Sequence, residues 1–266
     1  MTEAPNVSPR TKVWVISLSS AQTRREAFAE TAKEAGMAWD FYDACNGIGP
    51  ELAYDNQQVK IVNNRPLQKG ELGCYSSHYQ LWTWLENNTD YDQMVVIEDD
   101  VVMDWIFLSE FCKINLKSKG IDYLRLFAKM PSPWKFVISP FFDKYRHLIQ
   151  FTGYPLGTQA YVVTREGARK FRENGQNITA AVDVYMDRTW EHGVMNLAIF
   201  PFPAYERYQP SSIGESRFNA DARSAADALR SLLPKIKRRL SSAWLTHGFE
   251  SAQVRQLRRR LNEKSK

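Results

Sequence analysis

The stretch Gln93-Met94-Val95-Val96-Ile97-Glu98-Asp99-Asp100-Val101 runs an apolar strand directly into three consecutive carboxylates. Adjacent negative charges repel one another and resist burial, so at a strand end they call for a positive partner. An oxygen-rich cluster of this kind suits a hard divalent cation, Mg²⁺ or Mn²⁺, often shared with substrate phosphates. The bland alternative is a solvated acidic turn after an edge strand.

Working outward, residues 12–18 read as a buried strand and residues 22–35 as a helix ended by Gly36. Residues 38–42 read as a short strand, and the turn-rich segment 43–66 as a long excursion. A helix follows over 70–88, where Leu72, Tyr75, Tyr79 and Trp82 recur at spacings of three and four. The acidic strand comes next. Strand, helix, strand, helix, strand predicts an α/β sandwich with a mainly parallel central sheet. In such sheets ligands sit beyond the carboxyl ends of the strands, where Glu98, Asp99 and Asp100 would lie. Further strands are expected over 123–127, 158–163 and 197–200. Residues 128–155, rich in proline and aromatics, read as a mobile lid.

The 266 residues allow one large domain or one domain plus an appendage, and 44% hydrophobic content excludes global disorder. Cys45, Cys74 and Cys112 show no CxxC spacing, which fits a reducing compartment. No signal-peptide core or spanning segment is evident, so a cytoplasmic protein is expected. The net charge of +5 is unevenly placed. Residues 234–266 hold ten Lys/Arg against two Glu, leaving residues 1–233 with 25 Lys/Arg and 28 Asp/Glu. A mildly acidic body, expected over 1–221, therefore carries a basic amphipathic helical tail over 222–266. This balance argues against a nucleic-acid groove across the fold. The tail suits an anionic membrane surface, or packs on the body with its basic face solvated.

Four segments together resemble glycosyltransferase family 25, which includes bacterial lipopolysaccharide and lipooligosaccharide galactosyltransferases and the collagen galactosyltransferases. Val13-Trp14-Val15-Ile16-Ser17-Leu18 with Arg24-Arg25 resembles its opening strand and arginines. Lys69-Gly70-Glu71-Leu72-Gly73-Cys74-Tyr75-Ser76-Ser77-His78 resembles its GELGC-x-x-SH signature, and Val96 to Val101 its acidic motif. Gly157-Thr158-Gln159-Ala160-Tyr161 with Ala168, then Val182-Asp183, is similar to the later blocks. The resemblance implies a GT-A-like fold, a nucleotide-sugar donor, usually UDP-galactose, and inverting transfer to a sugar or hydroxylysine hydroxyl; with the basic tail, the expected acceptor is a bacterial surface glycolipid at the inner leaflet.

A divalent ion held by Glu98 and Asp100 would neutralise the donor pyrophosphate and stabilise the leaving diphosphate. Asp99 is assigned to the ribose or to holding the strand end. Ser17, Arg24, Arg25, Ala44, Gly70, Ser77 and His78 are further expected donor-site residues, and Cys45 reads as a small buried residue. Glu71, Cys74 and His78 share one helix face. Inverting transfer needs a base for the acceptor hydroxyl, and Asp183 is the choice, with Asp187 and Glu206 as substitutes. His192 is a further metal-ligand candidate. Gln159, Tyr205, Tyr208 and Gln209 are placed at the acceptor. The rival readings are a Mg²⁺-dependent phosphohydrolase, which wants Asp where Glu98 stands, and a non-catalytic lipid-binding module working through the tail.

Overall fold

The computed structural model describes residues 8–63, 65–207 and 250–263, together with Leu232, Ile236 and Leu240. The first half of the described chain holds β1 (Thr11–Ser17), α1 (Gln22–Thr31), β2 (Asp40–Asp43), β3 (Ala53–Tyr54), α2 (Asn56–Asn63), α3 (Lys69–Asn87), β4 (Gln93–Glu98) and β5 (Val101–Met103). Then come α4 (Trp105–Phe111), α5 (Leu116–Lys119), β6 (Tyr123–Arg125), β7 (Trp134–Ile138), β8 (His147–Phe151), β9 (Ala160–Thr164) and α6 (Arg165–Gly175). The remainder comprises β10 (Asn177–Ile178), α7 (Val182–Met186), α8 (Thr189–His192), β11 (Leu197–Phe200), β12 (Ala204–Glu206) and α9 (Glu250–Glu263).

Eight strands form the central sheet in the order β2-β1-β4-β9-β6-β11-β8-β7. Mixed α/β architecture with a large sheet is therefore present, but the sheet is not mainly parallel. β1 runs parallel to β2 and β4, and β6 to β11. β9 lies antiparallel between β4 and β6, and β8 is antiparallel to both β11 and β7. The expected lid over 128–155 is also corrected: it supplies the β7–β8 pair that forms one sheet edge.

Side-chain alternation divides the core between the two faces. Val95, Ile97, Val162, Leu124 and Leu197 point to one face, together with α1, α4 and α9. Met94, Val96, Tyr161, Val163 and Tyr123 point to the other, under α3, α6 and α7. β4 is buried on both faces, which explains its unbroken apolar run. The apolar stripe Val254, Leu257 and Leu261 of α9 joins the first cluster, while Arg255 and Arg259 stay exposed. Arg258 donates through Nε to the carbonyl of Val137, which ties α9 to β7. The rest of the 222–266 tail lies outside the described residues, apart from Leu232, Ile236 and Leu240, which are helical and exposed.

Candidate active site

Glu98 closes β4, and its amide still donates to the carbonyl of Gln159 on the neighbouring strand segment (2.8 Å). The Asp99 amide donates to Ile16 on β1 (3.2 Å), so the acidic turn is fastened to the sheet from both sides. The chain then passes into β5, which pairs with β12 and sets Glu206 opposite Val101. Backbone pairing holds three carboxylates together that repulsion alone would separate.

The three point to different partners. The Ser17 hydroxyl donates to Asp99 Oδ2 (2.6 Å), and Arg24 lies 3.3 Å from Oδ1. Burial raises the Asp99 carboxyl, with Ser17 and Arg24 opposing it. Asp99 is thus a bracket between β4 and the β1–α1 turn. Arg25 reinforces that turn through the Ser17 carbonyl (2.8 Å) and pairs with Asp43.

Asp100 is different. Burial, then the charges of Glu98, Glu206 and Asp99, push its carboxyl up to about 7, and its Oδ1 is buried with no hydrogen-bond partner. Such an oxygen lacks a cation or a donor. Glu98 accepts from the Thr158 hydroxyl and faces His78 Nε2 at 3.8 Å. Burial works to raise it, but His78, Thr158 and Lys129 outweigh that and hold it below the ordinary carboxylate value.

α3 brings the signature to this point, and its residues divide by face. Glu71 closes a capping box with Gln68 and pairs with Arg65 (2.7 Å), so it serves the helix start and not the site. Gly73 sits against the loop after β2, where an added Cβ would lie 2.3 Å from the Cys45 carbonyl oxygen. The Ser77 hydroxyl accepts from the Cys45 amide (2.9 Å), and that of Ser76 from the Gly49 amide (2.9 Å). Ala44 donates its amide to the Ser17 carbonyl (2.9 Å), which continues the β2–β1 pairing. Gly70 is exposed in the first turn of α3.

Cys74 and His78 face the carboxylates. The Cys74 thiol is held well above its ordinary value by burial, then by the charges of Glu98, Asp183 and, more weakly, Asp100. Those carboxylates, contributed by β4, the following turn and α7, therefore converge on one turn of α3. His78 is fully buried, and its tautomer follows from its neighbours. Trp82 Nε1 can only donate, and it donates to the Tyr161 hydroxyl (3.1 Å). The Tyr161 O–H still needs an acceptor of its own, and His78 Nδ1, 2.9 Å away, provides one. The imidazole proton then resides on Nε2, a buried donor without a hydrogen-bond partner.

Two metal donor sets are on offer. Cys74, His78 and Glu98 bring one ligand-type atom each within 4.8 Å of one another. The Trp82–Tyr161–His78 relay presents a proton there and not a lone pair, so the hard oxygen set of Glu98 and Asp100 fits a divalent ion better. His192 is withdrawn from the ligand candidates. Its Nδ1 accepts from the Val194 amide (3.1 Å) and its Nε2 lies 3.2 Å from the Tyr185 carbonyl, so both nitrogens are engaged by backbone.

Asp183 opens α7; its Oδ1 accepts from the Val184 amide (2.8 Å), and Oδ2 is 3.5 Å from the Gly157 amide. Asp187, one turn on, is a buried clamp and not a substitute base. It accepts from Arg125 (2.6 Å), Asn196 (2.8 Å) and the Leu156 amide (2.9 Å). Arg125 in turn donates to the Leu156 and Gly157 carbonyls. This pair, not anticipated from sequence, fixes the 156–157 strap, where Leu156 and Gly157 have φ of 55° and 81°. The strap leads into Thr158, the partner of Glu98. The signal available was an arginine inside the apolar run of β6, which demands a buried anion.

Gln159 is buried with its Oε1 unpartnered, whereas Tyr205 on β12 is 62% exposed. Glu206 lies beside Asp100 and pairs with Lys129 (3.2 Å). Tyr208 and Gln209 lie outside the described residues.

A mixed α/β sheet bearing a carboxylate cluster beyond the end of a central strand defines the class of site. The chain belongs to glycosyltransferase family 25 (LPS biosynthesis protein), whose family model matches residues 10–186. It is 25% identical over 178 residues to human procollagen galactosyltransferase 2, covering 60% of this chain and 27% of that protein. It is 23% identical over 184 residues to the lipooligosaccharide biosynthesis protein lic2B of Haemophilus influenzae, covering 65% of this chain and 68% of that one. Among solved structures, A197 from STIV matches 75% of this chain and 86% of its own at 14% identity and a TM-score of 0.44. The match thus spans about a quarter of the human relative and about two thirds of the bacterial one.

Proposed function

We propose that the protein is a metal-dependent inverting glycosyltransferase with a GT-A-like donor site. It moves a hexose, galactose from UDP-galactose, onto a sugar hydroxyl of lipopolysaccharide or lipooligosaccharide. The observation that carries this reading is a pair of unmet demands in one site. Asp100 Oδ1 is buried with no hydrogen-bond partner, and His78 Nε2 makes no hydrogen bond either, the Glu98 carboxylate standing too far off at 3.8 Å. A cation answers the first and an anion the second, and a metal-chelated diphosphate supplies both. The names of the human and H. influenzae relatives support the sugar and the acceptor.

In this reading Glu98 and Asp100 would hold Mn²⁺ or Mg²⁺, which supplies charge neutralisation for the departing diphosphate. His78 Nε2–H donates to a diphosphate oxygen, and Arg24, already beside Asp99, adds positive charge on the donor side. Asp183 takes the acceptor proton as that oxygen bonds to the anomeric carbon. The bond from that carbon to the diphosphate oxygen breaks on the opposite face, and UDP leaves. Basic residues toward the C-terminus, Arg255 and Arg259 among them, would lie along an anionic inner leaflet where a lipid-linked acceptor is exposed. Among the described residues no helix is long and apolar enough to cross a membrane.

The test is a thermal-shift panel of UDP-sugars and other nucleotides with Mn²⁺, with Mg²⁺ and with EDTA. A ligand at a hundredfold excess over its Kd stabilises by about 2.7 kcal/mol. A UDP-dependent shift that needs metal and disappears in Asp100→Asn is expected. No shift with any nucleotide in the presence of metal overturns the reading.

A further inference from the structure

On the β11–β8–β7 side of the sheet lies a cleft of about 400 Å³ that the donor chemistry does not use. Its walls are Trp134, Phe151, Phe200 and Phe202, with Ser132 and Lys129 at one side. Trp134 is 39% exposed and lies 5.6 Å from Phe200, the two rings tilted by 31°. The volume falls in the range of about 300–1,000 Å³ usual for small-ligand pockets.

Three features connect this cleft to the carboxylates. First, both lie on the same face of the sheet. Val96, Tyr161, Arg125, Ala198 and Ile149 form one cross-strand row, each paired with the next. Glu98 stands two residues beyond Val96 at one end of that row, and Ile149 lines the cleft at the other. Four strand spacings of about 4.8 Å separate them, roughly 19 Å. Second, the cleft wall is zipped to the active-site strap. The amides of Lys129 and Met130 donate to the carbonyls of Leu156 (3.3 Å) and Pro155 (2.8 Å). Third, Lys129 reaches from the cleft to Glu206, the neighbour of Asp100.

We infer that the cleft is an acceptor subsite for a sugar ring of an oligosaccharide, several rings away from the hydroxyl that reacts. This rests on the glycosyltransferase reading above. The lining selects a saccharide over an acyl chain. Aromatic faces stack on the C–H faces of a pyranose, and Lys129, paired with Glu206, brings a charged, hydrogen-bonding group to the rim where an acyl chain would have no use for it. The far end of the cleft, at Ile149 roughly 19 Å from the acidic strand, is reached by an extended glycan and not by a monosaccharide, so the cleft gives an enzyme of this kind a means of measuring acceptor length.

The experiment is saturation-transfer NMR and titration of the full chain with the deacylated core oligosaccharide of a lipooligosaccharide. Galactose and dihexanoyl phosphatidylcholine micelles serve as comparison probes. We expect saturation of ring C–H protons on the oligosaccharide and little on galactose. Removing the stacking face in Trp134→Ala should weaken oligosaccharide binding by about tenfold, whereas Trp134→Phe should stay within about threefold. Equal affinity in Trp134→Ala, no oligosaccharide binding by the unmodified protein, or binding confined to the micelles overturns the inference. If Trp134→Ala does not fold, Phe202→Leu takes its place, with the same weakening expected and equal affinity overturning the inference. The metal-dependent UDP shift is measured separately on the same unmodified protein. Its absence sinks the transferase reading, and loss of oligosaccharide binding alone sinks only the subsite.

Discussion

Replacing Asp187 by Asn separates the roles of two carboxylates at opposite ends of one short helix, Asp183 in its first turn and Asp187 at its C-cap. Asp187 and its partner Arg125 are 0% and 1% exposed. Every group around the Asp187 carboxylate is a donor: Arg125 and Asn196 to Oδ1, the Leu156 amide to Oδ2. An asparagine must turn its own NH₂ toward one of them and leaves the guanidinium uncompensated. Breaking a buried pair from one side costs about 3–5 kcal/mol. At about 2–4 °C per kcal/mol for a chain near this size, Tm should fall by about 6–20 °C. Asp183→Asn should do the opposite, leaving Tm close to wild type while turnover drops by about 10²–10⁴, the usual contribution of a general base. Calorimetry and UDP-release kinetics on both variants make the comparison. If Asp187→Asn keeps its Tm within about 2 °C and loses turnover, Asp187 is the base and the clamp is misread. A further check is Arg125→Met combined with Asp187→Leu, which should recover part of the lost stability.

Gly73→Ala drives a methyl group into the Cys45 carbonyl. Overpacking of this kind costs about 1–3 kcal/mol, and an unchanged urea midpoint would count against the close approach. Burial lowers the pKa of His192 to about 3, while the unfolded value is near 6.5. The unfolded chain then binds the extra proton, so stability present above about pH 6.5 is lost as pH falls toward 3, by up to about 5 kcal/mol. His192→Asn should flatten that acid limb in urea titrations at successive pH values; an unaltered slope assigns the limb elsewhere. Leu257→Ala should cost about 2–5 kcal/mol because α9 completes the core. A neutral result in thermal unfolding would detach α9 from the body.

The acidic strand end could be read from sequence because a strand buried on both faces is a continuous apolar run, and Glu98 ends that run sharply. The face of α3 was equally plain, since Tyr75, Tyr79 and Trp82 repeat at helical spacing. Strand direction was not. β9 carries the same apolar composition whether it runs with β4 or against it, and only the distant pairing decides. The β7–β8 edge was hidden by Pro131, Pro133, Pro140 and Pro155, which bound short strands in the way they would bound a loop. Site roles were partly hidden for a related reason. Asp183 and Asp187 stand at the two ends of one short helix, and the distant Arg125 distinguishes them.

The GELGC-x-x-SH block contains two interleaved sets. Gly73 and Ser77, four apart, lock α3 to the loop after β2, and Cys74 and His78, also four apart, face the carboxylates. Trp82 extends the second stripe by another four residues and supplies the proton that orders the relay. Without it the Tyr161 oxygen regains a lone pair that can accept from a protonated His78 Nδ1, and the bias toward Nε2–H weakens. Trp82→Phe keeps an aromatic ring stacked near Phe171, now 4.9 Å from the indole, so the fold should survive. Nitrogen-15 NMR of the His78 ring should show the Nε2–H form in the wild type and a mixture in the variant. The metal-dependent UDP shift should shrink in parallel. A variant that retains a single Nε2–H tautomer would show that Glu98, and not the Trp82–Tyr161 relay, sets the direction of that donor.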